Sequence, residues 1–132
     1  PGPEIEMITQ KERRALFAEP FVAARRGDRM GVQIKGPALA PQLDAPMASG
    51  AVYPGTVQCP PDGAPFLLLC DGQTTGGYPR LLQVCAADLS LTGQIRPGDK
   101  VWFREISIDG ALAILKQKTA LYSGLLPGFS FG

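Results

Sequence analysis

Apolar and polar positions alternate between residues 29 and 35. Met30, Val32 and Ile34 fall on one side, and Arg29, Gln33 and Lys35 on the other. This spacing predicts a half-buried strand, ended by Gly36-Pro37. Residues 66–70 form an unbroken apolar run of strand length, which predicts burial on both faces. Further strands are expected over 51–59, 80–86 and 100–106. Pro54-Gly55 interrupts the first, so it needs an edge position or a bulge. Pro60-Pro61-Asp62-Gly63 and Arg96-Pro97-Gly98-Asp99 are turn signals, and residues 38–49 read as a loop. The helical period shows near both termini. Thr9-x-x-Glu12 fits a capping box opening a helix over 10–18, with Ala15 and Leu16 inward and Pro20 stopping it. Ile108, Leu112 and Leu115 recur at i, i+4 and i+7, which predicts a helix of about 12 residues capped by Ser107 or Asp109. Asp88 or Ser90 is expected to cap a short helical turn running to Ile95. Short strands divided by Gly/Pro turns predict a mainly β fold: a closed β-barrel with two short peripheral helices over 1–122, followed by an apolar tail over 123–132.

Composition narrows the chemistry. The 132 residues suit one domain. Thirteen Lys plus Arg against twelve Asp plus Glu leave a net charge of +1, which gives no electrostatic case for nucleic acid or an anionic membrane. The run 66–70 is far short of a membrane span, and no signal peptide is visible. The chain has no histidine. A Ser-His-Asp or Cys-His nucleophile cannot form within it, nor can a zinc site built on His, and no metal site is expected. Cys59, Cys70 and Cys85 make no CxxC and read as three reduced, buried thiols of a cytoplasmic protein. Pro1-Gly2-Pro3 at the start, without Met, reads as the interior of a longer polypeptide.

The densest polar cluster is Asp71-Gly72-Gln73-Thr74-Thr75-Gly76-Gly77-Tyr78-Pro79-Arg80, directly after the apolar run. Gly76 and Gly77 allow close backbone approach to a ligand. Gln73, Thr74 and Thr75 supply hydrogen-bonding groups, Asp71 is a candidate base or acceptor, and Tyr78 offers a phenol and a flat ring. No GxxxxGK[ST] is present, so this is no Walker phosphate loop. The plain alternative is a long structural loop in which Asp71 and the threonines cap turns. Arg29 suits a carboxylate clamp, since guanidinium pairs in a bidentate way, or simply a solvated strand entry. Gln58 faces opposite to Val57 and Cys59 and could read an amide or carboxylate, or face solvent. Of Trp102 and Phe103, one faces the core; Lys116 and Lys118 read as a solvated helix face.

Several blocks resemble a known family. They are Pro1-Gly2-Pro3-Glu4; Asp28-Arg29-Met30-Gly31 with Lys35-Gly36-Pro37-Ala38-Leu39; Pro54-Gly55-Thr56-Val57-Gln58 with Pro60-Pro61-Asp62-Gly63; Asp71-x-Gln73-Thr74-Thr75-Gly76-Gly77-Tyr78-Pro79-Arg80; Ala87-Asp88-Leu89; and Arg96-Pro97-Gly98-Asp99. Over residues 1 to about 118 the chain resembles the C-terminal half of the biotin-dependent-carboxyltransferase-like, or allophanate hydrolase subunit 2, family, in its bacterial 5-oxoprolinase branch. The resemblance implies a cyclophilin-like β-barrel and an N-terminal half of similar length in the same subunit. It implies a second subunit of the allophanate hydrolase subunit 1 type as partner. It also implies an assembly that uses ATP to open 5-oxo-L-proline to glutamate, with no cofactor on this chain and the isolated chain inactive. Two other family roles are a urea carboxylase carboxyltransferase and a regulatory module that antagonises a kinase inhibitor. Gly72 departs from the pattern, where a larger residue, often arginine, stands.

The residue chemistry then suggests a small amide or lactam substrate. Arg29 would hold its carboxylate, Gln58 with Gln73, Thr74 and Thr75 would bind the amide beside Gly76 and Gly77, Asp71 would orient or deprotonate it, and Tyr78 would form a wall.

Overall fold

The computed structural model describes residues 1–126. The capping box forms as expected. The Glu12 N–H donates to the Thr9 hydroxyl at 3.2 Å and the Thr9 N–H donates to Glu12 Oε2 at 2.7 Å, starting helix α1, Gln10–Ala18. Leu16 is the buried residue of this helix. After Pro20 the chain enters strand β1, Phe21–Gly27, a strand that the sequence pattern does not announce. Phe21 and Ala23 are buried and Val22 is exposed, so a period of two is present for three residues before Arg25 and Arg26 obscure it. Strand β2, Gly31–Lys35, pairs antiparallel with β1, with a register shift between Ala23 and Gly27. Val32 and Ile34 point inward as expected, but Met30 stands before the strand and is exposed.

The remaining strands are short. They are β3, Gly50–Ala51; β4, Thr56–Gln58; β5, Phe66–Leu68; β6, Thr75–Gly76; β7, Arg80–Gln83; and β8, Lys100–Val101. Pro54-Gly55 divides β3 from β4, as a proline inside a strand region requires. β5 is a central buried strand, with Leu67 and Leu68 essentially inaccessible. Each such side chain contributes roughly 1.5–3 kcal/mol by leaving water.

Six strands form one antiparallel sheet in the order β7-β4-β5-β2-β1-β8, while β3 and β6 form a separate two-stranded ribbon. β7 and β8 are the two edges and do not pair. The expected closed barrel is therefore corrected to an open, strongly curled half-barrel, consistent with a cyclophilin-like fold. A recess of about 570 Å³ lies between the edges, lined by Leu82, Val84, Val101 and Phe103 among others. Two strands are shorter than expected. The 80–86 strand stops at Gln83, and the 100–106 strand keeps its ladder only to Val101, because its partner β1 begins at Phe21 and offers nothing to pair with beyond it. Phe103 still packs on Phe21, rings edge to face at 5.7 Å, and Trp102 turns outward.

Among the described residues three helices, not two, accompany the sheet. After a 3₁₀ turn at Ala86–Asp88, α2 spans Leu89–Thr92 without the expected side-chain cap from Asp88. α3 spans Ile108–Leu125, longer than expected, and is capped by Ser107, whose hydroxyl accepts from the Gly110 N–H at 3.1 Å. Lys118 is not a free solvated residue: its ammonium donates to the Ala87 carbonyl and lies 3.1 Å from Asp88. The helix carries on through residues 123–125, so the expected tail begins as helix, and the rest of it, 127–132, lies outside the described residues. No helix among the described residues is long and apolar enough to cross a membrane.

Candidate functional site

The candidate residues fall into two clusters. The first is built around buried Gln58 on β4, which is only 1% exposed. Its Oε1 accepts from Gln73 Nε2 at 3.3 Å and its Nε2 donates to the Tyr78 carbonyl at 3.4 Å. Gln58 thus braces the 73–78 segment, and the alternative that it faces solvent is corrected by its burial. Gly76 packs on that amide so closely that a Cβ there would meet Gln58 Nε2 at 2.5 Å. Thr75 and Gly76 form β6 against β3, and the Thr74 carbonyl accepts from the Val52 N–H at 3.0 Å. Gln73 turns its amide to Gln58, Thr74 and Thr75 are exposed residues, and Tyr78 is half exposed. Gly77 lies by Met47 and Ser49.

Arg80 locks the same cluster to the chain start. Its guanidinium meets Glu4 at 2.5 Å and 2.8 Å, the Glu4 carboxylate also accepts the Arg80 N–H at 2.9 Å, and Arg80 Nη1 donates to the Ala51 carbonyl. The hydrogen bonds and charge of Arg80 hold the Glu4 carboxyl below its ordinary pKa, against the opposing effect of burial. Neither Glu4 nor Arg80 stands among the residues given a chemical role from sequence, and their role here is structural.

The second cluster joins Arg29 and Asp71. Arg29 Nε donates to Asp71 Oδ2 at 2.6 Å and Nη2 donates to Oδ1 at 3.3 Å. The backbone supports the pair, since the Asp71 N–H donates to the Arg29 carbonyl at 3.1 Å. Hydrogen bonding to Arg29 draws the Asp71 carboxyl below its usual range and raises Arg29 further. Asp71 is therefore a paired carboxylate, a poor proton acceptor at neutral pH, and its geometry suits orienting Arg29. Residue chemistry puts these two in one site, and the structure brings them into contact. Cys70, expected to be buried, is exposed beside them, whereas Cys59 is buried and Cys85 half-buried; all three are free thiols. Gly72 follows, and a side chain there would meet the Met30 carbonyl at 2.9 Å and the Leu69 carbonyl at 3.1 Å, so this backbone leaves no room for the larger residue of the family pattern.

Arg29 and Cys70 also line a recess of about 600 Å³. Its sheet-side wall includes Ala24, Val32 and Leu69, and its other wall includes Leu89, Ser90 and Thr92 of α2 with Ile95. Gln58, Gln73 and Tyr78 do not line it. No sequence signal marks the contribution of α2, because its few polar residues are spread over a helix of four. Among the described residues, no group of three His, Cys, Asp or Glu side chains comes together to hold a metal.

A half-barrel with a braced glycine-rich ribbon and a paired arginine at its rim is the kind of scaffold that presents small-molecule groups from loops. Residues 1–105 match the family model described as carboxyltransferase domain, subdomain A and B, and the chain belongs to this family. It is 34% identical over 122 residues to a 5-oxoprolinase subunit of Haemophilus influenzae, covering 92% of this chain and 39% of that one. It is 35% identical over 112 residues to the 5-oxoprolinase subunit of the same name from Escherichia coli, covering 85% of this chain and 36% of that one. The chain thus spans well under half the length of these relatives. Its fold is similar to that of a segment in the crystal structure of the Kluyveromyces lactis urea carboxylase, with a TM-score of 0.81 at 19% identity, over 100% of this chain and 13% of the other.

Proposed function

We propose that this chain is a domain of a multi-subunit, ATP-dependent amidohydrolase of the 5-oxoprolinase type, opening 5-oxo-L-proline to glutamate. The observation that carries the reading is identity of 34–35% over most of the chain to two bacterial proteins named as a subunit of 5-oxoprolinase. In this reading ATP is consumed by the assembly and no cofactor is assigned to this chain. The rest of a polypeptide of the relatives' length and a second subunit of the allophanate hydrolase subunit 1 type complete the enzyme, in the cytoplasm. Arg29 binds the substrate carboxylate and Asp71 holds Arg29 in place. Gln58, Gln73, Gly76 and Gly77 hold together the ribbon whose exposed Thr74, Thr75 and Tyr78 ring are offered to a partner subunit. The family model's description and the whole-chain fold match support a second reading, a carboxyltransferase domain.

The test is ATP-dependent opening of 5-oxo-L-proline by the complete polypeptide assembled with its partner subunits. Turnover that falls well over threefold in Asp71→Asn supports the reading; a change within about threefold, under one kcal/mol of barrier, places Asp71 outside the site. A stable assembly that leaves 5-oxo-L-proline untouched but transfers carboxyl groups favours the carboxyltransferase. Loop substitutions that abolish association alone favour a regulatory module.

A further inference from the structure

We propose that the recess between the β1–β2–β5 end of the sheet and α2 is a binding site for a small carboxylate with an apolar ring, anchored by Arg29. This rests on the oxoprolinase reading for its expected ligand and adds a location and a recognition rule to it.

Several observations meet at this recess. Its volume, about 600 Å³, suits a small ligand, and a mostly apolar wall with a few polar groups at the mouth of a curled sheet is where such ligands bind. Ala24, Val32, Leu69 and Ile95 supply the apolar surface. Arg29 is the cationic residue of the lining; the one carboxylate of the lining, Asp28, has its Oδ1 taken up by the Met30 and Gly31 N–H groups at 2.8 and 3.3 Å. A guanidinium has five N–H donors; Asp71 engages two of them and the neighbouring Cys70 side chain also bonds to Arg29, so donors still remain for a ligand. The Arg29 side chain is 81% exposed, and an ion pair that open adds little to stability. What the pair does accomplish is geometric: a bidentate carboxylate fixes the plane of the guanidinium, so the remaining donors are already oriented when a second carboxylate arrives. The α2 wall carries two hydroxyls. Thr92 donates its proton to the Leu89 carbonyl at 2.7 Å and so keeps its oxygen lone pairs for an incoming N–H. Ser90 is exposed and lines the recess too. A lactam carboxylate matches this arrangement, with its carboxylate on Arg29, its ring on the apolar wall and its amide toward α2. The Gly-rich ribbon, the leading candidate from sequence, does not line this recess.

The experiment is a chemical-shift titration of the isotopically labelled chain with three probes. They are 5-oxo-L-proline, cyclopentanecarboxylate (carboxylate and ring, no amide) and 5-oxo-L-prolinamide (ring and amide, no carboxylate). The first two should move the amides of residues 27–29, 70 and 89–93, and the third should bind at least tenfold more weakly. Arg29→Gln should bring all three probes to the same weak affinity. Ser90→Trp should fill the recess and abolish binding of all three while Arg29 stays in place. Asp71→Asn should weaken the two carboxylates several-fold and leave the amide probe unchanged, which a merely structural role would not do. Equal affinity for the three probes, shifts that map to residues 73–80, or no saturation below about 20 mM overturns the proposal. The assembled enzyme separates the two readings. Carboxylate binding at the recess without any turnover overturns the oxoprolinase reading and keeps the site. Turnover that survives Ser90→Trp keeps the reading and overturns the site.

Discussion

Two Arg–carboxylate pairs in this chain use the same chemistry to opposite ends. Arg80 and Glu4 have side chains 26% and 12% exposed, and they join the chain start, β7 and Ala51 of β3 through four hydrogen bonds. Arg29 and Asp71 have side chains 81% and 46% exposed and join only the ends of two neighbouring strands. Burial decides what each is for. A partly desolvated pair that also satisfies backbone groups holds structure together, and removing one partner strands the other. An open pair is screened by water and leaves donors free, so it serves positioning.

The largest contrast is kinetic and lies in the cysteines next to each cluster. Cys59 follows Gln58 and is fully buried, and burial pushes its thiol up to about 12. At pH 8 a thiol with that pKa is thiolate in about one part in 10⁴, before access is considered. A disulfide reagent should therefore modify exposed Cys70 within the mixing time, and Cys59 only at the rate of unfolding. Mass spectrometry of peptides from a timed reaction measures both; early labelling of Cys59 would mean that the Gln58 cluster opens readily.

Arg80→Ala should show the largest effect on stability. It leaves the Glu4 carboxylate unpaired and removes a bond to the Ala51 carbonyl, a loss of about 3 kcal/mol, at the low end for a buried pair because a quarter of Arg80 still meets solvent. Urea unfolding followed by fluorescence reads it. Gly76→Ala should come next, at about 1–2 kcal/mol. The new methyl would press on Gln58 Nε2, which is buried and bonded and has nowhere to move. Its effect should vanish in a Gln58→Ala background, a non-additivity that a double-mutant cycle detects.

Acid separates the two pairs further. The Glu4 pKa in the folded chain lies below its ordinary 4.5, so the unfolded chain binds the proton more readily. That contribution is complete above about pH 4.5 and is lost as pH falls through the lowered folded value. Glu4→Gln should lower stability at neutral pH and flatten the acid limb of the stability curve. An acid limb identical to that of the parent chain would mean that other carboxylates, such as Glu12 in the capping box, control it.

How much of the molecule is legible in its sequence follows from the range of each signal. The capping box at Thr9, the buried run before Cys70 and the turn at Arg96-Pro97-Gly98-Asp99 are local, and local chemistry decides them. β1 escapes a reading by alternation because Arg25 and Arg26 break the pattern, although pairing with β2 holds it as a strand. Barrel closure is overestimated for the same reason in reverse. Residues 100–106 have strand-like composition, yet a strand needs a neighbour, and β1 begins too late to supply one beyond Val101. At the site, residue type suggests that Arg29 and Asp71 serve one site, and the fold brings the two into contact. Residue type cannot separate them from Gln58 and Gln73, because the 71–80 segment runs from one cluster into the other and only the fold assigns its two ends to different tasks.

The smallest expected effect is the most telling. Asp71→Asn removes a carboxylate that is nearly half exposed and paired with a guanidinium open to water. The Asn carbonyl can still accept one bond from Arg29, and the backbone bond from the Asp71 N–H to the Arg29 carbonyl is untouched by the change. Thermal and urea unfolding should therefore match the parent chain at neutral pH, in contrast to Arg80→Ala. The guanidinium, however, is no longer held from two sides, and its plane is free to turn. Affinity for a carboxylate probe should fall several-fold while affinity for its amide counterpart holds. A variant that is as stable as the parent but less able to tell a carboxylate from an amide assigns Asp71 to orienting Arg29. A variant destabilised as much as Arg80→Ala would show instead that both pairs are structural clamps and that exposure does not distinguish them.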